Sequence, residues 1–162
     1  MASSRSESSP NNPHDSDHFD LGQRGEAYAA AFLEQRGYRI VGANFSLPVG
    51  RNLRGALVKA EIDLVAYDGP TLCFIEVKTR SSDWFAPPQV NIDLRKRRQI
   101  ARAARSYRRM FGLEGAVYRF DVVTVVLPPA HIQKGMQIEL LRNYWSETSL
   151  RKRKHYQEWY YD

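Results

Sequence analysis

The spacing of apolar positions changes several times along the chain, and each change marks an element. Over residues 21–37 it is helical, with Ala29, Ala30, Phe32 and Leu33 on one broad face and Gly37 as a C-cap glycine. Residues 38–45 predict a first strand. Residues 46–55 carry Pro48, Gly50 and Gly55, with Arg51, Arg54 and the following Lys59 nearby, and predict a mobile basic loop. Residues 60–67 and 71–79 are rich in β-branched and aromatic side chains and flank Asp68-Gly69-Pro70, the signature of two strands joined by a turn. Residues 81–88 read as a loop with Trp84 and Phe85. Residues 93–111 read as a helix ended by Gly112, residues 117–127 as a long apolar strand closed by Pro128 and Pro129, and residues 137–141 as a weak strand. The order α-β-β-β-α-β predicts the α/β class, with a mixed β-sheet flanked by α-helices.

The two ends lack this periodicity. Residues 1–18 are dominated by Ser, Asn, Pro and Asp and are expected to be a disordered tail. His14 and His18 within it lack the further ligand a metal site needs. Residues 19–141 form one domain. Residues 142–162 make a basic, aromatic tail, in which Trp145, Trp159, Tyr160 and Tyr161 either stack on bases or a partner protein, or simply fray. No apolar run approaches the roughly 18 residues of a membrane span. No apolar leader opens the chain, and Cys73 is the single cysteine. The expectation is a cytoplasmic protein that does not engage membranes.

Charge adds a partner class. The net charge of +6 fits a polyanion. Its distribution says more, because eight of the 24 basic residues fall in the helix over 93–111. Arg95, Arg98, Arg102, Arg105 and Arg109 form one stripe opposite Ile100, Ala103, Ala104, Tyr107 and Phe111. No acidic residue lies between Asp93 and Glu114, so the stripe has no partners within the helix. It is read as a DNA-binding surface for the phosphate backbone rather than an ordinary solvated face.

The hairpin over 61–78 carries the candidate chemistry. If the turn is tight around Gly69-Pro70, Asp63 falls opposite Glu76, and alternation puts Lys78 on the same face as Glu76. Cross-strand neighbours have Cβ atoms roughly 4.5–5.5 Å apart, so two carboxylates and an ammonium would converge away from the turn. Mg²⁺ prefers hard oxygen ligands and keeps several waters, which two carboxylates and a phosphate oxygen suit. A salt bridge between Glu76 and Lys78 or Asp63 is the competing explanation. Glu61, on the same strand, is a secondary candidate. Glu26 shares a helix face with Ala29, Ala30 and Leu33, so it either caps the helix start or points into a site. Asp121, inside an apolar strand, is read as the structural partner of a buried arginine, with Arg80 the suggested one.

Three blocks, GQRGEAYAAAFLEQRGY, EIDLVAYDGPTLCFIEVKTR and YRFDVVTV, resemble the bacterial YraN-like family, which belongs to the broad PD-(D/E)XK nuclease superfamily. The resemblance runs from about Gly22 to Val126 in the family's order and spacing. It implies a restriction-endonuclease-like fold and a Mg²⁺-dependent (or Mn²⁺-dependent) endonuclease that hydrolyses phosphodiester bonds in DNA, with branched or damaged DNA among the candidate substrates. By the same resemblance Asp63 and Glu76 are the metal-binding acids, Lys78 the motif lysine, Glu26 the first-helix glutamate that completes the metal site, and Lys96 a helix lysine that reaches the phosphate. Relatives usually carry Gly where this chain has Ala60, and the loop before it is long and basic here; neither change removes a ligand. A non-catalytic DNA-binding protein that keeps the fold is the alternative, and an adaptor with a structural ion-pair hairpin is a third.

Overall fold

Strand alternation decides which helix each side chain meets. A computed structural model describes residues 13–82, 90–129, 131, 133 and 135–150. Helix α1 (Pro13–Gln35) is followed by β1 (Arg39–Arg51), β2 (Leu57–Asp68), β3 (Thr71–Ser81), α2 (Leu94–Met110), β4 (Tyr118–Leu127), β5 (Gln137–Trp145) and a 3-10 turn, Glu147–Leu150. The strands form one sheet in the order β1-β2-β3-β4-β5. Neighbours are antiparallel except β3 and β4, which run parallel and are joined through α2. This is the mixed α/β sheet with flanking helices that the periodicity predicts.

Leu72 and Phe74 of β3, with Phe120 and Val122 of β4, pack beneath Ile100, Ala103, Ala104 and Tyr107 of α2. On the other face Cys73, Ile75, Val123 and Val125 pack against Ala29 and Leu33 of α1. α1 comes unusually close to the end of β3. A Cβ at Gly25 would overlap the Thr79 side chain, so only glycine permits this approach.

Several boundaries differ from the sequence reading. Residues 13–18, inside the segment expected to be disordered, belong to α1; residues 1–12 lie outside the described residues. Strand β1 does not end at residue 45. Residues 46–51 were expected to be mobile loop but pair with β2 out to Arg51↔Leu57, and only residues 52–56 form the turn. Leu47 and Val49 face the core there. Pro48 is tolerated because β1 is the sheet edge, and the register shifts just after it. Trp84 and Phe85 fall outside the described residues.

β5 runs four residues further than expected and takes up the start of the proposed tail. Trp145 is buried and stacks on Phe120 at 4.8 Å, so it is a core residue and not a free stacking platform. Residues 151–162, with Trp159, Tyr160 and Tyr161, lie outside the described residues. The arginine that meets Asp121 is Arg119, not Arg80. Two residues apart on one strand, they share a face, and Arg119 Nε donates to both Asp121 oxygens at 2.9 Å. Arg119 Nη2 also donates to Asp68 (2.7 Å) and Tyr38 (2.8 Å), while Asp121 accepts the Asn143 N–H at a bulge in β5. This network locks the turn end of the sheet.

Gly25→Ala should destabilise the protein by about 1–3 kcal/mol through overpacking. Thr79→Ala should recover part of that loss, since it removes the Oγ1 and Cγ2 atoms that a Gly25 Cβ would meet. Thermal melts of the wild type, both single variants and the double variant measure the coupling.

Candidate functional site

The turn sets the register that brings the acids together. Gly69 takes φ 56°, a left-handed conformation open to glycine, and β2 pairs with β3 from Asp68↔Thr71 to Leu64↔Ile75. One step further Asp63 comes opposite Glu76, and there the strands part. Ile62 packs in the cluster under α2, whereas Leu64 packs in the cluster under α1. Two residues of a regular strand share a face, so β2 turns over at Asp63. The backbone N–H of Val77 therefore meets the Asp63 carboxylate, with Oδ2 accepting at 2.7 Å.

Glu76 is only 4% exposed. Its Oε1 lies 3.4 Å from Lys78 Nζ and 3.5 Å from Lys96 Nζ, and its Oε2 is buried with no hydrogen-bond partner among the described residues. The two lysine side chains are 42% and 36% exposed, so both ammoniums can exchange Glu76 for a ligand arriving from solvent. Lys96 is held over Glu76 by the start of α2, where the Asp93 carboxylate accepts the Lys96 N–H at 2.7 Å. Asp63, Glu76, Lys78 and Lys96 thus share one locus.

Glu26 reaches the same locus electrostatically. The chain is already helical from Pro13, so Glu26 lies well inside α1 and the helix-start explanation no longer applies. Burial raises its carboxyl above the usual range, and the Glu61 and Glu76 charges add to the rise. A hydrogen bond from Asn44 acts the other way. Asn44 stands at φ 50° in β1, a left-handed conformation that asparagine tolerates better than most residues. Sequence reasoning missed it; the only signal was an asparagine inside a strand pattern. Glu61 is exposed.

Burial and the facing Glu76 carboxylate push the Asp63 carboxyl up to about 7; Glu26 adds to this, while the Val77 N–H and Lys96 oppose it. Like charges are crowded into a partly dry site. Among the described residues no group of three or more His, Cys, Asp or Glu forms a ready metal cluster. A divalent cation here would draw on Asp63 and Glu76, with water and substrate oxygens completing its shell.

The basic stripe lies on α2 with Arg95, Arg102, Arg105 and Arg109 exposed and Arg98 half-buried. Among the described residues, one of the five, Arg105, has an acidic partner that helix spacing could not reveal. Glu147 accepts from Arg105 Nη2 at 3.0 Å, and its other oxygen lies 3.8 Å from Arg108, which stacks on Tyr118. Among the described residues no helix is long and apolar enough to cross a membrane.

An acid whose carboxyl is raised by folding favours the protonated folded state. Stability should therefore fall as pH climbs from about 3.8 through about 7 in the absence of divalent cations. Asp63→Asn keeps an acceptor for Val77 and removes the charge. It should flatten that slope and stabilise the metal-free protein at pH 8 by about 1–2 kcal/mol, after allowing for solvent screening at this partly exposed group. Thermal melts from pH 4 to pH 8 measure this, and an unchanged slope in the variant contradicts it.

Residues 25–125 match the sequence pattern of the uncharacterised protein family UPF0102. A UPF0102 protein of Moorella thermoacetica is 44% identical over 117 residues, which is 72% of this chain and 89% of that protein. A UPF0102 protein of Koribacter versatilis is 40% identical over 115 residues, 71% of this chain and 74% of that protein. One from Solibacter usitatus is 40% identical over 121 residues, 75% of this chain and 82% of that protein. Among solved structures, the crystal structure of SSO0001 aligns over 80% of this chain and 54% of its own, with 15% identity and a TM-score of 0.33. The chain belongs to the UPF0102 family.

Proposed function

We propose that the protein hydrolyses phosphodiester bonds in DNA as a Mg²⁺-dependent endonuclease, with Mn²⁺ as an alternative ion. The observation that carries the reading is the Glu76 carboxylate, nearly fully buried with Oε2 unpartnered, opposite an Asp63 whose carboxyl is raised to about 7. Leaving a buried carboxylate oxygen unmet is costly, and so is crowding a second acid against it. Both costs fall if Asp63 and Glu76 hold a divalent cation, with Glu26 nearby to add negative charge. Such an ion would neutralise phosphate charge and acidify a bound water.

The remaining roles follow from the chain's own groups. Lys78 would stabilise negative charge developing on the phosphate oxygens, and Lys96 would anchor the phosphate from the start of α2. The α2 stripe would track the DNA backbone, as cationic side chains do without reading sequence. Hydrolysis adds water across the P–O bond: hydroxide goes to phosphorus and the departing sugar oxygen takes up a proton.

One observation favours a rival. Glu76 Oε1 already has two ammoniums beside it, as it would in a DNA-binding accessory protein whose hairpin carries only a structural ion pair. Incubation with linear, nicked and branched DNAs in Mg²⁺ or Mn²⁺ separates the two. Cleavage is expected with wild type and should drop about 10²–10³-fold or more in Glu76→Ala and Lys78→Ala. Cutting that persists in Glu76→Ala rules out the site. Tight binding without any cutting by wild type supports the accessory protein instead.

A further inference from the structure

Beyond Asp63 the β1–β2 pair leaves the main sheet as a two-stranded ribbon, because among the described residues β1 pairs only with β2 and β2 pairs with β3 only from Leu64. The inner half of the ribbon, with Phe45, Leu47, Ala60 and Ile62, packs under α2. Its outer end does not: residues 50–57 are all exposed. This end is nevertheless ordered. Asn52 Oδ1 accepts the N–H groups of Arg54 (3.0 Å) and Ala56 (2.9 Å), the Gly55 N–H donates to the Asn52 carbonyl, and Arg51 Nη1 donates to the Gly55 carbonyl at 2.7 Å. The turn holds Leu53 fully exposed between Arg51 and Arg54.

Charge and shape point the same way. Residues 46–60 contain Arg51, Arg54 and Lys59 and no acid. A bare leucine flanked by guanidinium groups on a rigid turn is the equipment of minor-groove binders. In these, arginine is drawn to the negative potential of the groove and one apolar side chain wedges against a base step. The strand length also sets a reach. Six residues separate Asp63 from Leu57, about 20 Å at roughly 3.4 Å per residue of antiparallel strand. At about 3.4 Å per base pair that is some six base pairs along a duplex.

We propose that the β1–β2 turn is a second DNA-contacting element, which enters the minor groove about six base pairs from the Asp63–Glu76 centre and bends the duplex there. Arg51 and Arg54 bind the groove and its phosphates, and Leu53 is the wedge. The inference rests on the reading of the protein as acting on DNA. It would make distorted or branched duplexes, whose base steps open most readily, the favoured substrates.

The test uses the full chain without divalent cation and a duplex of about 30 base pairs labelled at both ends. Anisotropy over a salt series measures binding, and energy transfer between the labels measures bending. Arg51→Gln/Arg54→Gln should weaken binding at least about tenfold and flatten the log–log salt dependence by about two ions. Leu53→Ala should keep the salt slope and lose the bend. Melting temperatures equal to wild type show that the exposed turn has been altered without unfolding. Unchanged slope and bend in these variants overturn the proposal. Neither readout involves cutting, so the two claims fail separately: cleavage with an unchanged slope overturns the ribbon alone, and bending without cleavage overturns the nuclease alone.

Discussion

Where β2 parts from β3, the N–H of Val77 would lose its strand partner, and the carboxylate of Asp63 takes that place at 2.7 Å. Most of the functional architecture depends on this exchange. It ends the β2–β3 pairing at Leu64↔Ile75 and frees β2 to turn over and carry β1 outward as a ribbon. It also commits an acidic side chain to the place where Glu76 is buried. An amide donor at a sheet opening must be met, because a buried unpaired N–H costs about as much as a lost hydrogen bond. A carboxylate meets it and brings a charge.

That charge makes the site electrostatically expensive. Glu76 is buried, Asp63 is partly buried and faces it, and Glu26 adds a third acid from α1. Lys78 and Lys96 compensate at a single oxygen, Oε1, while Oε2 stays unmet. A hairpin selected for stability alone would do better with apolar residues here, since buried ion pairs seldom repay their desolvation. At the other end of the sheet the contrast is plain. Arg119 satisfies both oxygens of the fully buried Asp121, reaches Asp68 and Tyr38 as well, and leaves an ion-pair network of structural character. The two buried acids thus lie in opposite kinds of surroundings, one with both oxygens met and one with Oε2 unmet among the described residues.

How much of this was legible in the sequence depended on whether the determinant was local. The turn Asp68-Gly69-Pro70 is local, so the register that sets Asp63 against Glu76 could be counted, and alternation then gave Lys78 its face. The amphipathic stripe of α2 was legible for the same reason, whereas the capping role of Asp93 came only from the structure. Long-range effects were not. Pro48 and Gly50 read as breakers, yet pairing with β2 carries the strand through them at a sheet edge. Asn44 reaches Glu26 only in the fold, and Glu147 meets Arg105 across 42 residues. Trp145 looked like an exposed aromatic because its partner Phe120 lies on a neighbouring strand. Lys96 could be matched to a family position, but its contact with Glu76 needed the crossing of α2 over β3.

The hydrolysis proposed for this protein turns on Asp63 and Glu76 holding a divalent cation. Titration of Mn²⁺ into the protein, followed by the electron paramagnetic resonance signal of the free ion, tests this without reference to any substrate. One Mn²⁺ per chain should bind and compete with Mg²⁺, and binding should be lost in Glu76→Gln and weakened in Asp63→Asn. Mn²⁺ binding of the same stoichiometry and affinity in Glu76→Gln would contradict it.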